Sequence, residues 1–195
     1  MFPTREQAKA LLDDALKLNP GPWGRHSLCC AHCAEKIALA CEELDAEKAY
    51  VLGLLHDIGR RFGVRHLGHV SDGYTYMKSL DFDEVARVCL SHSFNNKKVS
   101  EYIGEFDVSD EELKLINEEL EKMEYDDYDR LIQLCDCLAG ADGVLNIEER
   151  MSDVEKRYGF YNENKRASNL RLFKLFEQKT GRNLYELCQK ESFKP

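Results

Sequence analysis

Apolar residues recur at helical spacing along most of the chain, and no run of alternating apolar and polar positions interrupts them. Near the start, Thr4 followed by Gln7 has the spacing of a capping box, and the apolar residues after it predict a helix that ends near Leu18. The four prolines stand at positions 3, 20, 22 and 195, so residues 23–194 lack the strongest helix breaker. This pattern predicts an all-α protein.

Capping residues and glycines mark further helix boundaries. Asp45 precedes a long apolar segment, and Ser109 stands three residues before Glu112, so both predict helix starts. Helix ends or turns are predicted at four glycines: Gly59, Gly140, Gly159 and Gly181. The 195 residues contain no long linker and no internal repeat. We therefore expect one domain that spans residues 1–195.

A histidine near the start of the second predicted helix is in phase with apolar positions. At 100° per residue, Cys30 and Ile37 lie within about 60° of His26, which predicts that this imidazole points inward. His32 projects about 240° away, beside charged residues, and is predicted to lie on the surface. A zinc site built from His32 and the neighbouring cysteines is a weaker interpretation, because no second ligand pair follows at zinc-finger spacing.

The segment from Ala49 to Leu55 is apolar on every side, which is typical of an enclosed central helix. His56 and Asp57 follow it directly, so both are expected to be buried. A buried carboxylate without a partner is strongly unfavourable, and either a bound cation or a hydrogen bond between His56 and Asp57 removes the penalty. This segment alone leaves both interpretations open.

Three more polar residues extend the pattern. His92 lies two helical turns after Val85 in one apolar stripe and is predicted to point inward. His69 opens the next predicted helix, where Gly73 leaves space beneath its imidazole. Asp136 lies at the edge of an apolar stripe, so a surface position is an equally good interpretation for it. Histidines from separate helices together with aspartates favour Fe or Mn, with Zn as an alternative, over Ca, which prefers oxygen ligands.

Composition narrows the functional classes. Hydrophobic residues make up 43% of the chain and charged residues 32%, which argues against intrinsic disorder. The longest apolar run is far shorter than the roughly 20 residues of a membrane span, and no signal sequence opens the chain, so we expect a cytoplasmic protein with reduced cysteines. The formal net charge of −9 disfavours nucleic acid as a partner, although residues 159–195 form a basic, helical C-terminal extension.

The inward histidine, the His-Asp doublet and the distal aspartate resemble the H…HD…D signature of the HD-domain metal-dependent phosphohydrolases. In this chain the signature residues are His26, His56, Asp57 and Asp136. The resemblance covers about residues 25–158 and implies a compact helical bundle around a buried metal site. By this resemblance, the four residues hold one metal ion.

Two additional histidines resemble those of binuclear members, such as the bacterial diadenosine tetraphosphate hydrolases. They are His69 and His92, which would hold a second ion that Asp57 bridges to the first. Arg60 stands where many members have lysine, so a cation is kept. The Gly-Tyr-Pro element of the cyclic-dinucleotide phosphodiesterases is absent, which disfavours a cyclic-dinucleotide substrate.

The resemblance implies hydrolysis of a phosphoester or phosphoanhydride, with a nucleotide as the expected small-molecule substrate. Two divalent ions about 3.5–4 Å apart would lower the pKa of a shared water and neutralise phosphoryl oxygens. Fe or Mn is expected, with Zn, Ni, Co or Mg as alternatives. The expected catalytic residues are Asp57 and Arg60, and the expected substrate-binding residues are Arg60, Arg61, Lys98 and Arg150.

Two alternative functions stay open at this point. The first is a non-catalytic module that binds a metal or nucleotide and signals through the C-terminal helix. The apolar stripe of this helix comprises Leu172, Phe173, Leu175 and Phe176. It could contact a partner, although we rather expect it to pack in the core or in a homodimer. The second is a di-iron oxygenase on the same fold, which ligand types alone do not separate from a hydrolase.

Overall fold

Helices account for almost all regular structure in the computed structural model, which describes residues 1–189. The α-helices in this range are α1 (Arg5–Leu18), α2 (Trp23–Leu39), α3 (Ala46–Leu55), α4 (Gly68–Ser79), α5 (Asp83–Ser91), α6 (Asp110–Lys122), α7 (Asp127–Leu138), α8 (Ile147–Tyr158), α9 (Glu163–Thr180) and α10 (Leu184–Cys188). Short 3-10 helices span Ile58–Phe62 and Val99–Glu101. The β-type pairing within residues 1–189 is one isolated bridge between Ala139 and Val144. The all-α prediction is confirmed.

The ends of the helices lie where the capping residues predict them. Thr4 and Ser109 each form a complete capping box, at the starts of α1 and α6. The Asp45 side chain accepts a hydrogen bond from the backbone of α3. Gly159 and Gly181 end α8 and α9 in the left-handed conformation, with φ values of 81° and 63°. Local sequence therefore sets these boundaries.

Helices α2 and α3 form the centre of the molecule. Every residue of α3 from Ala49 to Leu55 is buried, as its apolar sequence predicts. Helix α2 packs against α3, α7 and α10, and all its residues from Cys29 to Ala34 are buried. Although α3 is apolar throughout, none of the helices in residues 1–189 combines the length and the apolarity that crossing a membrane requires.

The prediction that His32 lies on the surface is wrong. Only 6% of this residue is exposed. A helical wheel divides α2 into one buried and one solvated face, whereas contacts with three other helices enclose most of its circumference. His32 is therefore a core residue rather than an exposed one.

A smaller apolar cluster lies beside the main core, beneath α4, α5 and α6. Its fully buried members include Val70, Leu90, Phe94 and Ile116. This cluster fixes the segment that follows α5 against α4, so that the ends of α3 and α5 and the start of α4 face one another. The polar residues of interest sit at these helix ends.

The C-terminal helices contribute to the main core. Helix α9 packs against α7, and α10 packs against α2. Phe176 and Leu184 are fully buried, and Phe173 and Leu175 pack against the same cluster, so the apolar stripe of α9 is a core contact. The division of residues 1–195 into a family-like core and a basic extension remains a prediction. Its last six residues, 190–195, lie outside the described residues, and they include Lys190 and Lys194.

Because Phe176 is buried in the shared core, we expect Phe176→Ala to lower the free energy of unfolding by about 3–5 kcal/mol. Phe160 lies in the same C-terminal segment but is 52% exposed, so Phe160→Ala should change the same quantity by about 0.5 kcal/mol or less. Urea denaturation of both variants measures the difference. Equal stability of the two variants would show that α9 is not part of the core.

Candidate metal centre

Two of the predicted ligands stand directly after helix C-termini. His56 follows α3 and His92 follows α5, where the carbonyl groups of the last turn lack helical donors. The Nδ1 of His56 donates to the carbonyl oxygen of Gly53 at 2.7 Å, and the Nδ1 of His92 donates to that of Cys89 at 2.9 Å. In both cases the imidazole turns back onto the carbonyl three residues earlier, which fixes the direction of the ring.

The other two histidines are held in the same way. The Nδ1 of His69 donates to the carbonyl of His66, again three residues earlier. The Nδ1 of His26 donates at 3.0 Å to the carbonyl of Ala139, which caps the C-terminus of α7. All four imidazoles are thus anchored through Nδ1 to backbone oxygens.

These hydrogen bonds determine the tautomer of each ring. A carbonyl oxygen can only accept, so the bonded Nδ1 carries the proton and Nε2 of a neutral ring keeps its lone pair. The Nε2 atoms of His26 and His56 are 3.2 Å apart, and those of His69 and His92 are 3.3 Å apart. Lone pairs that face each other at such distances repel unless a cation lies between them. The arrangement therefore creates two positions where a positive charge is stabilised.

Two aspartates complete these positions. The Oδ1 atom of Asp57 lies 3.1 Å from Nε2 of His69 and 3.7 Å from Nε2 of His92. The Oδ1 atom of Asp136 lies 3.0 Å from Nε2 of His26 and 3.7 Å from Nε2 of His56. Asp136 thus faces the cluster, which decides between the inward and surface positions that its place at the stripe edge left open.

Asp57 belongs to two groups of potential ligand atoms that lie within 4.8 Å of one another. The first group is His26, His56 and Asp57, and the second is Asp57, His69 and His92. Within residues 1–189, no cysteine takes part in a group of this kind. The zinc interpretation that involved Cys29, Cys30, His32 and Cys33 therefore has no geometric support in this part of the chain.

Both aspartates are held in their ionised form. Burial alone would raise the pKa of Asp57, but the Arg60 guanidinium and His69 lower it well below its usual range. The Nε atom of Arg60 donates to Oδ2 of Asp57 at 2.6 Å, which leaves Oδ1 directed at the histidines. Burial would also raise the pKa of Asp136, and hydrogen bonds with His26 and His56 lower it well below the usual value.

The surroundings of the two most deeply buried imidazoles differ. Burial alone would lower the pKa of His56, but Cys30 and Asp57 raise it well above its usual value. Burial and the neighbouring His56 lower the pKa of His92 to about 3. A positive charge at Nε2 of His56 is thus stabilised, whether a proton or a metal ion carries it, whereas His92 stays a neutral donor.

The cluster lies at the base of a cavity of about 430 Å³. The side chains of His56, His69 and His92 are at most 3% exposed, whereas His26 is 13% and Asp136 is 32% exposed. A ligand therefore reaches the cluster past His26 and Asp136. Besides aliphatic and small residues, the rest of the lining contains cationic, aromatic and amide side chains: Arg60, Arg150, Arg157, Lys165, Trp23, Tyr102, Tyr158, Tyr161, Asn95, Gln133 and Asn169.

The structure divides the predicted substrate-binding residues into two pairs. Arg60 and Arg150 line the cavity. Arg61 does not, since its guanidinium stacks on the ring of Tyr76 at 4.0 Å. Lys98 is exposed before the second 3-10 helix and is also absent from the lining. Sequence proximity to the ligands was therefore a poor guide to these two cations.

Several cavity residues on α8 and α9 are not among the residues that the sequence predicts. Arg157 shares one face of α8 with Arg150, seven residues earlier, and both line the cavity. Lys165 lies four residues before Asn169 on α9, and both also line it. The sequence feature that could have identified Lys165 is its helical spacing, which places it on the same face of α9 as the buried Leu172 and Phe176.

A comparison with protein-family models agrees with this geometry. The model of the HD domain matches residues 23–141, which is more than half of the chain and includes all six predicted ligands. The chain belongs to the HD domain family. Searches of curated proteins and of solved structures found no match. Membership of the HD domain family indicates metal-dependent phosphohydrolase activity in general terms, together with a divalent metal ion.

The donor atoms fit such an ion. Neutral imidazole nitrogens and carboxylate oxygens are ligands that suit divalent transition metals, and the backbone carbonyls that orient the rings supply the outer hydrogen bonds that such sites require. The chemistry of the cluster therefore agrees with the metal dependence of the HD domain family.

Close backbone contact at Gly59 places His69 beside Asp57. A Cβ atom at position 59 would lie 2.0 Å from the carbonyl oxygen of His69 and 2.5 Å from the backbone nitrogen of Gly73. A Cβ at Gly73 would likewise lie 3.1 Å from Cys89 and 3.3 Å from the backbone nitrogen of Gly59. Both glycines let α4 approach the first 3-10 helix and α5, and the space beneath the His69 imidazole stays a prediction.

We therefore expect Gly59→Ala to push α4 and His69 away from Asp57 and to weaken binding of Mn²⁺ at least about tenfold. Val64 lies in the loop that follows and is 89% exposed, so Val64→Ala serves as the control. Calorimetric titration with Mn²⁺ measures both affinities. Unchanged affinity in Gly59→Ala would show that the position of α4 does not set the geometry of the cluster.

Proposed function

We propose that this HD-domain protein is a phosphohydrolase that cleaves a phosphoester or phosphoanhydride of a nucleotide with two divalent metal ions. The observation that supports this most is the shared Asp57, which belongs to both ligand groups at the base of a cavity lined by cations. A carboxylate between two ligand groups is suited to bridge two ions. Fe or Mn suits this mixed imidazole and carboxylate set best, with Zn, Ni, Co or Mg as alternatives.

In this proposal, His26, His56, Asp57 and Asp136 hold one ion, and Asp57, His69 and His92 hold the other. Ions at such sites supply an activated water at neutral pH and neutralise charge that develops on phosphoryl oxygens. The protein's own contribution is to keep four Nε2 atoms and two carboxylates directed at the positions of the ions, while cations of the cavity face the phosphate.

Arg60 has two roles in the proposed reaction. Its Nε atom holds Asp57 through Oδ2, and its side chain lines the cavity with 30% exposure. The terminal nitrogens therefore remain to donate to two oxygens of a phosphate, which is the bidentate contact that a guanidinium favours. Arg150 lines the cavity as well, and its contact with Asp153 is long, at 3.9 Å.

Aromatic residues support a nucleotide as the substrate. The rings of Trp23, Tyr102, Tyr158 and Tyr161 line the same cavity as the cations. Tyr158 is 38% exposed, so its ring is accessible to a base that enters from solvent. A cavity that offers cations to a phosphate and aromatic surfaces to a base matches the chemistry of a nucleotide.

The same cavity favours hydrolysis over the two alternatives. Four cationic side chains line the site, and they suit an anionic phosphate better than an uncharged substrate of an oxygenase. A signalling module that acts through the apolar stripe of α9 is disfavoured, because that stripe packs into the core. Phosphate hydrolysis uses both the ligands and the cations.

We expect Asp57→Ala to lose both metal ions and to lower phosphate release at least about hundredfold, because this carboxylate is shared by the two ligand groups. Asp13→Ala is the control, since Asp13 is an exposed residue of α1 and lies outside both groups. Elemental analysis gives the metal content, and phosphate release from a nucleotide panel gives the activity. Full metal content and activity in Asp57→Ala would contradict the shared site.

Assays with and without oxygen separate the remaining functions. The proposal predicts that Mn²⁺-loaded protein releases phosphate from at least one nucleotide at the same rate in air and under nitrogen. Turnover that requires oxygen would indicate an oxygenase. Bound metal without turnover on any nucleotide would indicate a binding module.

A further inference from the structure

Lys165 is a cation of the cavity that lies outside the residues matched by the HD-domain model. It belongs to the first turn of α9, where the Asn162 side chain accepts a hydrogen bond from its backbone nitrogen. Its side chain is partly buried and lines the cavity together with His92 and Asp136. The metal cluster and Lys165 thus face the same space, although family resemblance does not point to this lysine.

The ammonium group makes one hydrogen bond within the described residues. Its Nζ donates to the carbonyl oxygen of Ser93 at 2.7 Å, directly after the ligand His92. An ammonium has three N–H donors, so two remain for other acceptors. Lys165 forms no ion pair with a carboxylate of residues 1–189, whereas Arg60 pairs with Asp57 and Arg157 pairs with Asp153.

The carboxylates that influence Lys165 are engaged elsewhere. Asp136 faces His26 and His56. Glu101 is buried, and its two oxygens accept hydrogen bonds from Asn96 and Asn164. Neither carboxylate forms an ion pair with the ammonium group, although both stabilise its charge from a longer distance.

A partly buried ammonium without an ion-pair partner is unfavourable. Burial lowers the pKa of Lys165, although Asp136 raises it in part. A single bond to a carbonyl oxygen does not compensate a full charge that has been withdrawn from water. An anion that enters the cavity would supply the missing countercharge, and the two free donors would point at it.

Lys165 also occupies a position that the core pattern would give to an apolar residue. It shares one stripe of α9 with Asn169, Leu172 and Phe176, all of which are buried. If Lys165 only connected α9 to the segment after α5, its side chain would not need to line the metal cavity. Its place there is accounted for if the cavity binds an anion.

We infer that Lys165 is a substrate-binding residue whose ammonium group binds a phosphate oxygen, and that it selects a phosphate carrying two negative charges, such as a terminal or polyphosphate group, over a singly charged diester. This inference rests on the proposed phosphohydrolase function and adds the charge state of its substrate. Arg60, Arg150, Arg157 and Lys165 together outnumber the two aspartates of the cavity, in a chain whose overall charge is −9. That local excess of positive charge suits a doubly charged group.

The test is binding of inorganic phosphate and of dimethyl phosphate to Mn²⁺-loaded full-length protein at pH 8, measured by calorimetry. We expect Lys165→Met to weaken phosphate binding about tenfold or more, because a charge-assisted hydrogen bond is lost, and to change dimethyl phosphate binding less. Lys165→Arg should restore most of the phosphate affinity. Lys174→Met makes the same substitution on the exposed side of α9 and should bind phosphate like the wild type.

Metal content and thermal unfolding of each variant show whether a change in binding is specific. Phosphate binding that is equal in wild type and in a folded, metal-loaded Lys165→Met variant overturns the inference, as does a wild type that binds no phosphate. Binding that depends on Lys165, without hydrolysis of any nucleotide, would refute the phosphohydrolase function and leave the role of Lys165 intact. Hydrolysis of a nucleotide, with phosphate binding that does not depend on Lys165, would support the phosphohydrolase function and refute the role of Lys165.

Discussion

The structure depends on one constraint, which is that four imidazoles donate Nδ1 protons to backbone carbonyls. Because those oxygens can only accept, the Nε2 atoms of neutral rings face one another with their lone pairs, as in His26 with His56 and in His69 with His92. Such close lone pairs are stabilised when a proton or a metal ion lies between them. The two aspartates strengthen this stabilisation, since their own surroundings keep them ionised.

The helical fold supplies this constraint from its helix ends. The carbonyls of Gly53, Cys89 and Ala139 lie in or directly after the last turns of α3, α5 and α7, where helical donors run out. The same groups that would otherwise be unsatisfied therefore orient the rings. Helices α8 and α9 then close the other side of the cavity and supply three of its cations, Arg150, Arg157 and Lys165, whereas all the ligands of the cluster precede α8 in the chain.

The sequence predicts the parts of this arrangement that repeat along a helix. Capping residues place the helix starts, and the phases of His26 and His92 give their inward direction, because each depends on neighbours within two turns. A helical wheel does not predict the burial of His32, because it cannot show how many helices surround α2. Closeness in sequence to the ligands predicts Arg61 and Lys98, whereas Lys165 reaches the cavity from a helix that packs there only in the tertiary structure. The helical phase that Lys165 shares with Leu172 and Phe176 predicts that its side chain faces inward. It does not predict that the metal cavity lies there, because that depends on what α9 packs against.

The most direct measurement of the central claim is an anomalous difference map from crystals of the Mn²⁺-loaded protein. The account predicts two peaks, one within coordination distance of the Nε2 atoms of His26 and His56 and the other within coordination distance of those of His69 and His92, with Asp57 between them. A map with no peak among these rings, or with peaks elsewhere in the molecule, would contradict it.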